Sequence, residues 1–178
     1  ILGYHRNAQP RIEVPLDFGN AQGVIIIPQG KSSIITQPIS GSNGLVVAQT
    51  TTTVSTGSGG TGVSLPANCT YTGDTYIFSL QSIGSSTLPS GSRTGNVHVY
   101  GILSFGTMTI NGLYGTGDIT KGSGSGTLTL GDNDANGDFT GTITQSGTLS
   151  LTKIGSGTQR LGGVCSYTGA TTVNGGTL

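Results

Sequence analysis

The chain has 178 residues, enough for one domain with a sizeable core. Seven basic and seven acidic residues leave no net charge, which argues against nucleic acid or an anionic membrane as a partner. No run of about 20 apolar residues is present to cross a membrane as a helix. Only 8% of residues are charged and 33 are glycine. Val, Ile and Thr nevertheless recur at spacings of two, so the composition reads as short strands between glycine turns and not as disorder.

Residues 1–23 are the least repetitive and hold much of the charge, in His5, Arg6, Arg11, Glu13 and Asp17. They are expected to form either a polar cap over the edge of a stack or one irregular first rung. Val24-Ile25-Ile26-Ile27, ended by Pro28, predicts a strand buried on both faces. Residues 33–36 and 39–47 follow, the second with the shape of residues 143–151. The Thr, Ser and Gly of residues 49–62 predict an exposed loop. Asn68-Cys69-Thr70-Tyr71-Thr72-Gly73-Asp74-Thr75 matches Val164-Cys165-Ser166-Tyr167-Thr168-Gly169-Ala170-Thr171 position by position. Residues 84–95 read as turns, and Val97 through Leu113 as compact strand-turn-strand units. Asn111-Gly112 and Asn174-Gly175 are expected at corners needing positive φ. Nowhere do apolar residues take the spacing of an amphipathic helix.

From Ser125 onward the sequence says nearly the same thing twice. SGTLTL at Ser125 is answered by SGTQRL at Ser156, Phe139-Thr140-Gly141 by Tyr167-Thr168-Gly169, and SGTL ending at Leu149 by GGTL ending at Leu178. The offsets are 31, 28 and 29 residues. One such repeat cannot bury its apolar face alone, so copies must stack. The predicted fold is all-β, a right-handed parallel β-helix (solenoid) of roughly six to eight coils at about 22–30 residues per coil. Residues 1–23 form the cap or first rung and 24–178 the array, with a β-sandwich or a trimeric β-prism as alternatives. Leu178 stops where the first copy ran on into Ser150-Leu151-Thr152, so a piece of a longer parent chain is expected.

The stretch LTKIGSGTQRLGGVCSYTGATTVNGGTL, residues 151–178, resembles the autotransporter-associated β-strand repeat of secreted bacterial passenger regions and long surface proteins. Residues 110–131 and 16–30 are similar to segments that accompany such repeats. Gln159-Arg160 departs from the usual apolar-polar pair, and Cys69 and Cys165 stand where Asn or Ala is commoner. The resemblance implies a scaffold at the bacterial cell surface or beyond it, in which the repeats are chiefly stalk. Some members carry an outer-membrane barrel elsewhere in the chain.

Candidate chemistry is sparse. Asp132-Asn133-Asp134-Ala135-Asn136-Gly137-Asp138 opens like a calcium loop, with Asp132, Asp134, Asn136 and Asp138 as ligands, but Ile143 stands where the bidentate Glu belongs. A solvated turn is the other reading, and no other cofactor is implied. Cys69 and Cys165 are expected to be free, inward-facing thiols. His98, between Val97 and Val99, reads as an outward or satisfied strand histidine far from His5, and Arg93, Lys121, Lys153 and Arg160 as single surface charges. With Asp74, Asp118 and the 132–138 group as the only acids after Asp17, no carboxylate ladder for polysaccharide cleavage is evident, and no enzyme is expected. The expected function is a stiff, uncharged rod, with copies of itself or the rest of a longer parent as partners, and head-to-tail filaments as a further step. The alternative is an adhesin that binds surface glycans through Tyr76, Tyr100 and Tyr114.

Overall fold

The structure is a computed structural model that describes residues 10–28, 31–50, 62–66, 68–78 and 88–178, and the backbone of 80–83. The expected loop at 49–62 and turn at 84–95 fall partly, and His5 and Arg6 wholly, outside the described residues. Every regular element described is a strand, and every pairing is parallel.

The chain winds round three faces. The first rung is β1 (Arg11–Ile12), β2 (Leu16–Asp17) and β3 (Gly23–Ile27), and the second β4 (Ser33–Ile35), β5 (Ile39–Ser40) and β6 (Leu45–Gln49). Then come β7 (Val63–Ser64) and β8 (Thr75–Ile77), and β9 (Leu80–Ile83) and β10 (Val97–Val99). The regular upper rungs are β11 (Ile102–Phe105), β12 (Met108–Ile110), β13 (Leu113–Gly115); β14 (Asp118–Lys121), β15 (Ser125–Leu130), β16 (Gly137–Phe139); and β17 (Thr142–Gln145), β18 (Thr148–Lys153), β19 (Gln159–Leu161). β20 (Thr171–Val173) lies on top. The first face is a seven-stranded sheet from β1 to β17, and the third a seven-stranded sheet from β3 to β19. The second face carries β2-β5 below and β12-β15-β18-β20 above. Seven strands per face make six steps from rung to rung, which is the solenoid expected.

Alternation along each strand sends every second side chain inward. Leu103, Ile119 and Ile143 stack on the first face, Met108, Leu128 and Leu151 on the second, and Val47, Ile77 and Val99 on the third. All nine are buried. The corners are tight: a Cβ on Gly112 would sit 2.0 Å from the Asn136 carbonyl oxygen on the rung above. Gly112 and Gly175 serve by this kind of close approach and not by positive φ, which falls instead on Gly115, Gly131, Gly155 and Gly176 among others. Asn111 is a buried clip whose amide donates to the Gly91, Thr94 and Gly95 carbonyls.

The stacking register corrects the one read from the repeat. Phe139 lies under Leu161, 22 residues on, on the third face. Tyr167 instead follows the bridge of Cys165 to Ile143, at the corner between the first and second faces. Ile143 is on the first face and Val173, 30 residues on in the sequence, on the second; Lys121 ends β14 on the first face and Lys153 ends β18 on the second. Leu149 is on the second face and Leu178 follows Thr177, bridged to Thr158 at the entry to the third. Each copy therefore spans four faces of a three-faced solenoid. Equivalent residues climb one rung and move one face round.

Two further expectations fail for stated reasons. Val24 and Ile26 are 51% and 59% exposed, because β3 points only Ile25 and Ile27 inward and nothing described covers its outer side. Lys121 and Lys153 are buried, not surface charges. Each points inward at a strand end and donates from Nζ to the carbonyls of the corner that follows: Lys121 to Ser123 at 2.7 Å and Gly122 at 3.3 Å, Lys153 to Ile154 at 2.5 Å and Gly155 at 3.2 Å. Hydrogen-bonded ammonium groups of this kind are tolerated inside because the corner carbonyls need donors.

Candidate functional site

The three outer faces differ in chemistry. On the first, Ser104, Thr120 and Thr144 stand in line, and on the second Thr109, Thr129, Thr152 and Thr172. Such hydroxyl ladders hydrate the surface without stacking like charges. The third face is apolar and aromatic. Along one column run Val24, Val46, Tyr76, His98 and Tyr114, continued by Asp138 and Arg160. Beside it, two residues on in each strand, are Ile26, Ala48, Phe78 and Tyr100.

In register, the rings stack. Tyr76 and His98 have centroids 4.4 Å apart at 12°, His98 and Tyr114 5.0 Å at 15°, and Phe78 and Tyr100 5.1 Å at 11°. Offset parallel rings at this spacing attract beyond their burial. Asp74 ties the column down: Oδ1 accepts the Asn96 N–H at 2.8 Å, while Oδ2 lies 3.0 Å from His98 Nε2 and accepts from the Tyr76 hydroxyl at 3.4 Å. Partial burial, and then the Asp74 charge, push the Tyr76 phenol above its ordinary pKa.

The structure thus brings together Tyr76, Tyr100 and Tyr114, named as candidates from sequence, and adds Phe78, Asp74 and His98 to them. The missed signal is the alternation Val24/Ile26, Val46/Ala48, Tyr76/Phe78, His98/Tyr100, in which outward positions are as apolar as inward ones. His98 is half-buried and held by Asp74. Asp118 accepts a hydrogen bond from the Thr142 hydroxyl on the next rung.

The 132–138 loop lies at the second-to-third corner, and Asp134, Asn136 and Asp138 turn oxygens to the rung above, whereas the Asp132 carboxylate lies towards Gly91 and Asn133 Oδ1 accepts the Ala135 N–H within the loop. Asp134 Oδ1 accepts the Ser156 N–H at 2.7 Å, Asn136 Oδ1 the Thr158 N–H at 2.7 Å, and Asp138 pairs with Arg160 at 2.9 Å. Among the described residues no group of three or more His, Cys, Asp or Glu is placed to hold a metal ion. Both cysteines are free. Cys69 is buried and its thiol pKa raised by that burial, whereas Cys165, in the uppermost rung, is exposed. Around both, the local structure is the same: Thr70 and Ser166 donate to Ile39 and Ile143, and Tyr71 and Tyr167 bond Thr75 and Thr171.

Stacked rungs, glycine corners and side-chain ladders define a parallel β-solenoid. Residues 151–178 match the family model described as passenger-associated-transport-repeat, the repeat indicated by the Tyr-Thr-Gly and Asn-Gly-Gly-Thr-Leu motifs. No curated protein and no solved structure matches the chain. No helix among the described residues is long and apolar enough to cross a membrane.

Proposed function

We propose that the chain is a structural module of a longer surface or secreted bacterial protein, a rigid non-catalytic rod that holds other parts of that protein away from the cell. The observation that carries this reading is the continuous ladder: each of two faces is one unbroken parallel sheet from the first rung to the last regular one. Along these two faces the backbone groups of paired strands are satisfied mainly by the neighbouring rung, so bending or swelling breaks hydrogen bonds. Val164 and Val173 in the uppermost rung are exposed, and the reading assigns them to contact with a further rung, from the parent chain or from another copy. Immunolabelling of intact cells that make the protein tests the address. Labelling without permeabilisation is expected, and signal confined to permeabilised cells contradicts it.

A second reading, glycan attachment, is favoured by one specific observation: the aromatic ladders of the third face gather the tyrosines onto one exposed surface.

A further inference from the structure

The chain contains four Asn-Gly pairs, Asn43-Gly44, Asn111-Gly112, Asn136-Gly137 and Asn174-Gly175. Each holds both partners of one intramolecular reaction: a carboxamide and, on the next residue, a backbone nitrogen that no neighbouring Cβ shields. The reaction closes a five-membered ring, so the carboxamide must leave its partners and the glycine peptide must turn. Three of the pairs are held against this. The Asn111 amide is buried, donates to the Gly91, Thr94 and Gly95 carbonyls and accepts the Gly91 N–H at 2.8 Å, while the Gly112 N–H donates to Asn96 Oδ1 at 3.0 Å. Asn136 Oδ1 accepts the Thr158 N–H at 2.7 Å, and the Gly137 N–H donates to the Thr158 carbonyl at 2.9 Å. At Asn43 the buried Gly44 donates its N–H to Asn43 Oδ1 at 2.7 Å, and its carbonyl accepts the Gly23 N–H at 2.9 Å.

Asn174-Gly175, in the corner after β20, is different. Asn174 is exposed, and among the described residues neither its carboxamide nor the Gly175 N–H has a hydrogen-bond partner. The anchors on either side, Asn174 N–H on the Lys153 carbonyl at 2.8 Å and Thr177 N–H on the Gly157 carbonyl at 3.2 Å, leave the reacting atoms untouched. We infer that Asn174 is a site of spontaneous deamidation, the one pair of the four that reacts in the folded chain. The Gly175 nitrogen gives its proton to hydroxide and attacks Asn174 Cγ; the N–Cγ bond forms, the Cγ–Nδ2 bond breaks and ammonia leaves. Water then opens the succinimide at either carbonyl to give aspartate or isoaspartate, with no change of oxidation state. The product places a new negative charge on the uppermost rung. The isoaspartyl form also lengthens the backbone by one methylene ahead of Thr177 and its bridge to Thr158. A charge at an open strand edge opposes its pairing with another edge.

Deamidation here rests on neither the rod nor the glycan reading. In the test, the intact chain is held in mildly alkaline buffer, folded and in urea, until the urea sample has converted at all four pairs. Peptide mapping with isoaspartyl methyltransferase labelling then reads each site. In urea the four are expected to react at comparable rates. In the folded chain Asn174 should react within about tenfold of its unfolded rate, and Asn43, Asn111 and Asn136 at least about tenfold more slowly than Asn174, because each must first open locally. Asn174→Gln, which offers only a less favoured six-membered ring, should fold as before and lose the label at this site. An unmodified Asn174 in the folded chain, or conversion of any of the other three as fast as Asn174, overturns the inference.

Discussion

The side chain of Gln159 passes over Gly137 and hydrogen-bonds both backbone groups of Leu113, two rungs below: Leu113 N–H donates to Oε1 at 3.0 Å, and Nε2 donates to Leu113 C=O at 2.9 Å. Between β13 and β16 the register holds only at Gly115 and Phe139, so the amide takes the place of a peptide group missing from the ladder. A Cβ on Gly137 would lie 2.1 Å from Gln159 Oε1. Gln159→Leu leaves two buried backbone groups unpaired and is expected to cost about 2–4 kcal/mol. Gly137→Ala should behave alike by displacing the amide. Urea unfolding of both variants measures this, and a loss below about 0.5 kcal/mol would deny the amide its place in the ladder.

The buried lysines give a second expectation. Lys153→Met keeps the length of the side chain but takes the donor from the Ile154 and Gly155 carbonyls, so a loss of about 1–3 kcal/mol is expected. Lys121→Met should do the same at its own corner. Unchanged midpoints would mean that water serves those carbonyls equally well.

Tyr71 links stability to pH. Burial, opposed only in part by its hydrogen bond with Thr75, raises the phenol pKa well above the ordinary 10.0. The folded chain thus binds the proton more tightly than the unfolded chain. Its contribution is full below about pH 10 and falls above it by up to about 1.4 kcal/mol per pH unit. Tyr71→Phe should flatten that alkaline decline while costing about 1 kcal/mol at neutral pH through the orphaned Thr75 hydroxyl. Tyr167→Phe, the same contact in the half-open uppermost rung, should cost less. Parallel pH–stability curves for the native chain and Tyr71→Phe would refute the assignment.

Calcium supplies another test. Asp134, Asn136 and Asp138 each give an oxygen to the rung above, and an ion bound through those same oxygens would compete with these hydrogen bonds. Neither added calcium nor a chelator is expected to move the melting temperature, while Asn136→Ala should cost about 1 kcal/mol by orphaning the Thr158 N–H. A rise of several degrees with calcium would mark the loop as a metal site.

Much of the architecture was legible in the residues, because period-two Val, Ile and Thr between glycines admit little else. Which face each segment occupies was not. All three corners demand the same chemistry, a strand end, a small residue and a close backbone approach, so Thr120-Lys121 and Thr152-Lys153 look equivalent although one turns from the first face and the other from the second. The same ambiguity hid the role of Gln159, whose partner is a backbone 46 residues away. The exposure of Val24 and Ile26 was hidden too, since an apolar outward position reads like an inward one. The tyrosines stand out in the sequence, but their stacking depends on register, which the 30-residue repeat misstates by one face.

Register is the central claim, and Phe139 reports it most directly. In a NOESY spectrum of the methyl-labelled chain, its ring protons should show strong cross-peaks to the Leu161 methyls and none to the Tyr167 ring. Cross-peaks to Tyr167 in place of Leu161 would put the copies one directly above another and contradict a repeat that advances by one face each time.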